Sequence, residues 1–389
     1  NRRPGHAPCF SPAVARAEGT VDTWDGSVDT TWYNASSPQT EYTITTAEQL
    51  AGLAQLVDSK KDFAGVTITL ASDLDLSGHE WNPIGNGDGT PFRGTFDGQG
   101  HTISHLTLTP ANPEADQSGL ALFSVVQNGE IRNLVIGDAS VDVRGADAFR
   151  QSVLAVRADG SIISNCSTSG TLQSSTDFLQ LVGGMVGLCT NSTTITRCAS
   201  FKDIATSSVS ASYGETVGGL VGQWEGATDT SLISNCLFAG SILSSADRSF
   251  VGGILSAGRP TALGGTVKSL PVVENCVANP SSFEASGEFA GLAYVGLVYG
   301  TDGAPAVETC LWPAGDEHVA GSVDYTTGAI TYPADTSPYG SAVADFSDST
   351  LIEKLNANSP DTWAMGVNGY PVLAWQTNLV AAGLSRAPV

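Results

Sequence analysis

The residues best equipped for chemistry sit in one early acidic stretch, Asp73, Asp75, Glu80, Asp88 and Asp97. Cleavage of a polysaccharide needs two carboxylates across a groove, or a carboxylate with a basic residue and often Ca²⁺. Glu80 and Asp97 are the pair that could serve as acid and base. The same residues also suit the solvation of strand edges and turns, a routine use of Asp. His101 and His105 follow, four residues apart on a predicted strand, and share one side of it if no bulge intervenes. Such a pair could bind a metal or a sugar, or stand as a half-exposed structural pair. His79-Glu80 continues into Trp81-Asn82-Pro83, so the second histidine of a zinc-protease helix is missing. No Gly-x-Ser-x-Gly elbow is present for a serine hydrolase. Trp224 and Glu225 come directly after a Gly-rich strand, on a predicted loop. There Trp224 could stack on a sugar, anchor a protein partner, or fold back over the coil.

Seven cysteines remain, an odd number with no CxxC spacing. Cys166, Cys198, Cys236, Cys276 and Cys310 each end a recurring tetrapeptide: Ile163-Ser164-Asn165-Cys166, Ile195-Thr196-Arg197-Cys198, Ile233-Ser234-Asn235-Cys236, Val273-Glu274-Asn275-Cys276 and Val307-Glu308-Thr309-Cys310. Ile131-Arg132-Asn133-Leu134 is an earlier copy. No His or acid recurs beside the thiols, so they are expected to form an interior ladder of small apolar groups rather than a metal or redox array. Asn133, Asn165, Asn235 and Asn275 form the column beside them, suited to a left-handed corner and to amide-amide hydrogen bonds. Whether Cys189 pairs with Cys198, and what Cys9 does, is open at this point.

These positions need an architecture that stacks them. The last residue of the motif falls at 134, 166, 198, 236, 276 and 310, steps of 32, 32, 38, 40 and 34 residues. Before several comes a Gly-rich apolar segment, as in Val182-Gly183-Gly184-Met185-Val186-Gly187, Val217-Gly218-Gly219-Leu220-Val221-Gly222 and Val251-Gly252-Gly253-Ile254-Leu255, with looser copies at Gly119-Leu120-Ala121-Leu122-Phe123 and Ala290-Gly291-Leu292-Ala293. After several comes a third strand, as in Gly170-Thr171-Leu172 and Gly240-Ser241-Ile242. Three short strands per repeat, with no helix between them, predict an all-β chain: a right-handed parallel β-helix with short capping helices. Propeller blades would need hairpin turns at fixed positions, which the repeats lack. The longest loops, ~199 to 216 and ~257 to 270, are the expected place for a binding face.

Composition narrows the partners. Apolar residues make up 41% of the 389 and charged residues 14%, which excludes a disordered acidic tail despite a net charge of -22. With 17 Lys and Arg against 39 Asp and Glu, nucleic acid and anionic lipid are disfavoured. No segment reaches the roughly 20 apolar residues that insert in a bilayer. Abundant Gly, with two Met, fits an extracellular all-β protein. Ala15-Arg16-Ala17 has the small-x-small form of an export cleavage site without its apolar run, so residues 1–19 are read as a disordered or signal-derived lead-in.

The repeats resemble those of the GLUG family, found in bacterial surface adhesins and beside the catalytic region of immunoglobulin A proteases. Tyr42-Thr43-Ile44-Thr45-Thr46-Ala47-Glu48-Gln49-Leu50, Ile68-Thr69-Leu70-Ala71-Ser72-Asp73-Leu74-Asp75-Leu76, Trp81-Asn82-Pro83-Ile84-Gly85 and Phe92-Arg93-Gly94-Thr95-Phe96-Asp97-Gly98-Gln99-Gly100-His101-Thr102-Ile103 are similar to the leader that opens such domains. The resemblance implies a cell-surface or secreted bacterial module within a longer protein. Residues 20–118 are then an N-terminal cap and first coils, 119–324 the β-helix repeats, and 325–389 a C-terminal closing segment. Thr45 or Thr46 is expected to cap a helix over the first coil, and a helix over Ser349 to Asn356 is expected to help close the far end. The expected function is non-enzymatic, an adhesin or stalk binding a host or cell-surface glycan or protein through its loops, without a cofactor or metal. The alternative is a carbohydrate-active enzyme that uses Glu80 and Asp97. The speculative ligand-binding residues are Trp224, Glu225, His101 and His105.

Overall fold

A computed structural model describes residues 21–110, 119–144, 150–176, 180–207, 215–246, 249–259, 271–286, 291–293, 296–299, 307–315, 319–323 and 329–377. The chain is a parallel β-solenoid, nearly all strand, with two α-helices among the described residues. One sheet of nine strands runs its length, from Glu41–Ile44 through Thr95–Asp97, Ile162–Ser164 and Thr194–Thr196 to Val307–Glu308. Its pairings are parallel and in register. The register therefore stacks Ile68, Phe96, Ile131, Ile163, Ile195, Ile233, Val273 and Val307 as one interior column, each at most 4% exposed. Each such aliphatic contributes roughly 1.5–3 kcal/mol by leaving water, and a coil gains it only when its neighbours are present.

The Gly-rich segment, expected as one strand, is two. Gln180–Gly183 ends at a corner and Val186–Thr190 begins after it; Glu215–Gly218 with Val221–Glu225, and Ser249–Gly252 with Leu255–Arg259, repeat the break. The paired glycines are the reason. A Cβ on Gly183 would lie 1.8 Å from the Val186 carbonyl oxygen, and one on Gly184 would lie 2.0 Å from that of Gly219. The first halves build a five-strand sheet and the second halves an eight-strand sheet. A twelve-strand sheet completes the wall, and includes the long strands Val135–Arg144, Ser167–Ser175 and Ala199–Ser207. The last of these occupies half of a stretch expected as a loop. Of the other expected loop, Ala257 belongs to a strand, and 260–270 lie outside the described residues.

The helix Ala47–Asp58 is capped as expected. The Thr46 hydroxyl accepts from Gln49 N at 3.3 Å, and the Gln49 side chain accepts from Thr45 N at 2.8 Å. Its buried face, including Leu50, Leu53 and Val57, joins the same core as the first strands.

The C-terminal segment departs from its expected place. Thr350–Asn356 is helical, and Trp363–Met365 pairs antiparallel with Pro371–Leu373. These residues pack on the side of the solenoid rather than over its end. Leu355, Trp363, Tyr370, Val372 and Leu373 cover a stripe made of Ala199, Phe201, Leu237, Ala239, Val277 and Leu311 on the twelve-strand sheet. The outward column explains the site: Ser167 is followed in register by Ala199, Leu237, Val277 and Leu311, so the wall turns apolar where the segment covers it.

Candidate functional site

The corner after the nine-strand sheet is the most regular feature. Asn133, Asn165, Arg197, Asn235, Asn275 and Thr309 all hold φ between 50° and 54°, the left-handed region where Asn is tolerated best. Asn165 Nδ2 donates to Asn133 Oδ1 at 3.2 Å, and Asn275 Nδ2 to Asn235 Oδ1 at 2.7 Å, while Arg197 interrupts the amide ladder. A second left-handed column lies after the eight-strand sheet, at Asn128, Gly160, Asn191 and Gly226. The alternation of Asn and Gly at repeat spacing was the available signal for it.

Beside the first corner the thiols of Cys166, Cys198, Cys236, Cys276 and Cys310 are free and at most 2% exposed. Each Sγ faces the carbonyl two residues back, at 3.2 to 3.5 Å. Burial pushes the Cys166, Cys236, Cys276 and Cys310 thiols up, as it does Cys189. Cys189 is also free, so it does not pair with Cys198; Cys9 lies outside the described residues.

The candidate acids have structural occupations. Asp97 is 4% exposed and caps the asparagine column: it accepts from Asn133 Nδ2 at 3.1 Å, Arg132 Nε at 2.8 Å and Gln99 N at 3.0 Å. Burial acts to raise its pKa, but those donors outweigh it and hold the carboxyl below its ordinary value. Asp97 is thus a fixed anion and not a poised acid. Glu80 is exposed and accepts from the Thr109 hydroxyl. The two histidines flank the strand Thr102–Ser104. His101 Nδ1 lies 2.9 Å from Asp73 Oδ1, and His105 Nδ1 lies 2.8 Å from Asp75 Oδ1. His105 is half exposed and sits at φ 56°, which turns the chain out of the strand. Among the described residues no group of three or more His, Cys, Asp or Glu side chains gathers around a common metal position.

Trp224 is corrected by the fold. It belongs to the strand Val221–Glu225 and is 1% exposed, so it stacks on no ligand. Its register partners are Cys189 on one side and Gly258 on the other. Two small residues open the interior space that an indole fills. Glu225 ends the strand and accepts from Gln223 Nε2 at 2.5 Å.

Sequence reasoning missed a seam that holds two arginines. Arg150, Leu181, Thr216 and Phe250 form one column of the five-strand sheet. Val125, Arg157, Leu188, Gln223 and Ala257 form one column of the eight-strand sheet. The two columns approach each other over glycines: a Cβ on Gly187 would lie 3.5 Å from the Leu181 carbonyl oxygen and 3.6 Å from Arg150 Cβ. The seam is apolar or neutral at most levels and carries two guanidiniums at one. Arg157 Nη2 pairs with Asp88, while its Nε is buried without a hydrogen-bond partner among the described residues. Burial and the neighbouring Arg157 charge both push the Arg150 pKa down, against the opposing pull of Glu225 and Asp88.

No family model matches the chain, so the GLUG resemblance rests on the quoted motifs alone. A stretch of 149 residues, 36% of the chain, is 32% identical to halomucin of Haloquadratum walsbyi. The chain spans 2% of the length of that relative. A crystal structure described as that of a candidate immunoglobulin A1 protease from Bacteroides ovatus superposes with a TM-score of 0.58 at 20% identity, covering 88% of this chain and 94% of that one. At that identity the match shows a shared fold.

Proposed function

We propose that the chain is a non-enzymatic extracellular module of a longer surface protein, an adhesin or stalk that meets a host or cell-surface ligand along one flank of the solenoid. One observation carries this reading: each side chain first considered for catalysis is engaged in building the coil. Asp97 caps the asparagine ladder, Glu80 holds Thr109, and the two histidines are tied to Asp73 and Asp75. A rod of in-register coils is stiff along its axis and repeats its outer surface, which suits display at a distance from a cell. Among the described residues no helix is long and apolar enough to cross a membrane. The mucin name of one relative and the protease description of the structural neighbour both fit a surface-protein context.

The test pairs a glycan and matrix-protein array with a panel of polysaccharide substrates. Binding without turnover is the expected result. Polysaccharide cleavage that falls sharply in Glu80→Gln would refute the reading and install the carbohydrate-active alternative.

A further inference from the structure

We propose that Glu215 is held as a neutral carboxylic acid in the folded chain and acts as a pH-sensitive latch, joining strand ends of the twelve-strand sheet to strand starts of the five-strand sheet. This goes beyond the adhesin reading and does not depend on it. Two interior columns meet at that corner. Ser174, Thr206 and Ser244 succeed one another in register near the ends of their strands, and Gln180, Glu215 and Ser249 do so at the starts of theirs. All six are at most 3% exposed, so they form a polar cluster inside an otherwise apolar wall. The coil before it has Val143 in register with Ser174, and the coil after it has Ala285 in register with Ser244.

The hydrogen bonds converge on one carboxyl oxygen and neglect the other. Thr206 Oγ1 donates to Glu215 Oε1 at 2.6 Å, and Ser244 Oγ donates to the same atom. Oε2 meets the Gln180 amide at 3.5 Å, the outer limit of a hydrogen bond, and that amide also donates to the Ser207 carbonyl at 3.1 Å. The carbonyl oxygen of a neutral carboxyl accepts two donors with its two lone pairs, whereas a carboxylate spreads its charge over both oxygens and needs donors at each. Beside Glu215 in register, Ser249 Oγ is buried without a partner among the described residues. That hydroxyl lies one strand spacing away on the same face, so a proton on Oε2 has an idle acceptor beside it.

Among the described residues no cation is paired with Glu215. The other ionisable side chains on the strands packed around it are Lys202 and Asp203 on Ala199–Ser207, Glu225 on Val221–Glu225 and Arg259 on Leu255–Arg259. The Lys202 ammonium is taken by the carbonyl oxygens of Ala139, Ser169 and Thr171, and Asp203 accepts from Ser241 Oγ. Glu225 and Arg259 end their strands, beyond the paired-glycine corner. Asp177, Asp247 and Arg248 lie outside the described residues. Burial raises the Glu215 pKa, and the opposing pull of the Ser244 and Thr206 hydroxyls does not overcome it. The folded chain therefore keeps a proton that the unfolded chain loses at the ordinary carboxylate value. The stability it contributes is full below that value and is lost as pH rises through the raised one. Thr206 and Glu215 bracket residues 208–214, so their contact fixes where that stretch leaves the wall and where it returns. Ionisation puts a charge among neutral partners, and opening this corner to water relieves it.

The experiment compares infrared spectra of the intact chain and of Glu215→Gln at pH ~6, above the ordinary glutamate value of about 4.3. Wild type should show the carbonyl stretch of a protonated carboxyl that the substitution removes. Thr206→Val takes away a donor that favours the anion, so its acid band should persist to higher pH than that of wild type. Melting curves of wild type and Glu215→Gln from pH ~5 to ~9 give the linkage, and Lys202, present in both, cancels in the difference. Glu215→Gln should gain on wild type as pH rises, by at most about tenfold in the folding equilibrium per pH unit. Amide exchange in Gln180–Gly183 and Glu215–Gly218 should quicken with pH more in wild type than in the variant. The absence of an acid band that Glu215→Gln removes, or a melting difference that stays flat, overturns the proposal. So does a difference of the opposite sign, the mark of an anion paired with a cation such as Arg248. Should Glu215→Gln not fold, the comparison of wild type with Thr206→Val decides, and an acid band lost at the same pH in both sinks the latch.

Discussion

Asn275 Nδ2 donates both to Asn235 Oδ1, 2.7 Å away in the preceding coil, and to the Leu355 carbonyl, 2.8 Å away in the C-terminal helix. One amide thus joins the corner column to the segment lying on the solenoid's flank. Trp363 Nε1, 3.4 Å from Asn235 Oδ1, and Trp375 Nε1, 3.0 Å from the Arg197 carbonyl, extend the same rail. The column that turns each coil is therefore also the surface on which the C-terminal segment is seated.

Asn275→Ala should be among the most harmful single changes on this face. It removes two hydrogen bonds and places a residue with a Cβ but no compensating side chain at φ 52°. A loss of about 1–3 kcal/mol is expected. Asn275→Gly relieves the backbone part and should cost less. Thermal melting of the two variants side by side measures the difference, and equal losses would show that backbone conformation plays no part.

Trp363→Ala should loosen the flank and leave the first coils intact. The indole is 2% exposed, and truncating a buried aromatic costs about 3–5 kcal/mol. Amide hydrogen exchange should rise in Leu237–Phe238 and Val277–Ala278, and a dye that binds apolar surface should report the uncovered Phe201 and Leu237. Protection of Thr67–Leu70 should not change. A segment that merely closed the end of the solenoid would give the opposite pattern, with exchange rising only around Val307–Glu308.

The thiol ladder predicts silence. A thiol reagent needs thiolate and access; burial denies access along the whole column, including at Cys198, whose pKa burial pushes up but the neighbouring Cys166 and Cys236 pull down overall. In a Cys9→Ser chain, Cys166, Cys189, Cys198, Cys236, Cys276 and Cys310 should stay unlabelled for hours in buffer and label together in strong denaturant. Rapid labelling of any one in the native chain would place that thiol outside the interior.

The corner column was legible because its signal is one residue type at a fixed offset from another, Asn before Cys, repeated at coil spacing. Trp224 was misplaced because a strand end cannot be told from a loop start without the register that puts Cys189 and Gly258 around it. The C-terminal segment showed its helix but not its seat, since Ala199, Phe201 and Leu237 read as ordinary strand residues until one knows which side faces out. Arg150 and Arg157 belong to different sheets and share no motif. Only the glycine corner, which folds one strand run against the next, brings them together.

Lys202 is the clearest remaining case of chemistry invisible in sequence. It is fully buried at a position where the coil on one side has Gly170 and the coil on the other has Gly240. With no side chain at Gly170, its ammonium reaches back to the carbonyl oxygens of Ala139 at 2.7 Å, Thr171 at 2.9 Å and Ser169 at 3.3 Å. Burial lowers its pKa to about 7, against the opposing pull of Asp203 and Asp138. Since the folded value lies below the unfolded one, the unfolded chain binds more protons between pH ~7 and ~10.5, and stability must rise with pH across that window. The slope contributed by this one group is at most ~1.4 kcal/mol per pH unit. Lys202→Met leaves the three carbonyls without their donor, and should lower the melting temperature at high pH, where wild type carries a neutral amine. At pH 6 wild type also bears the cost of a buried charge, so the gap between the two proteins should narrow as pH falls. Melting curves for both chains from pH 6 to 10 measure that gap, and a gap that stays constant would show that Lys202 keeps its proton throughout.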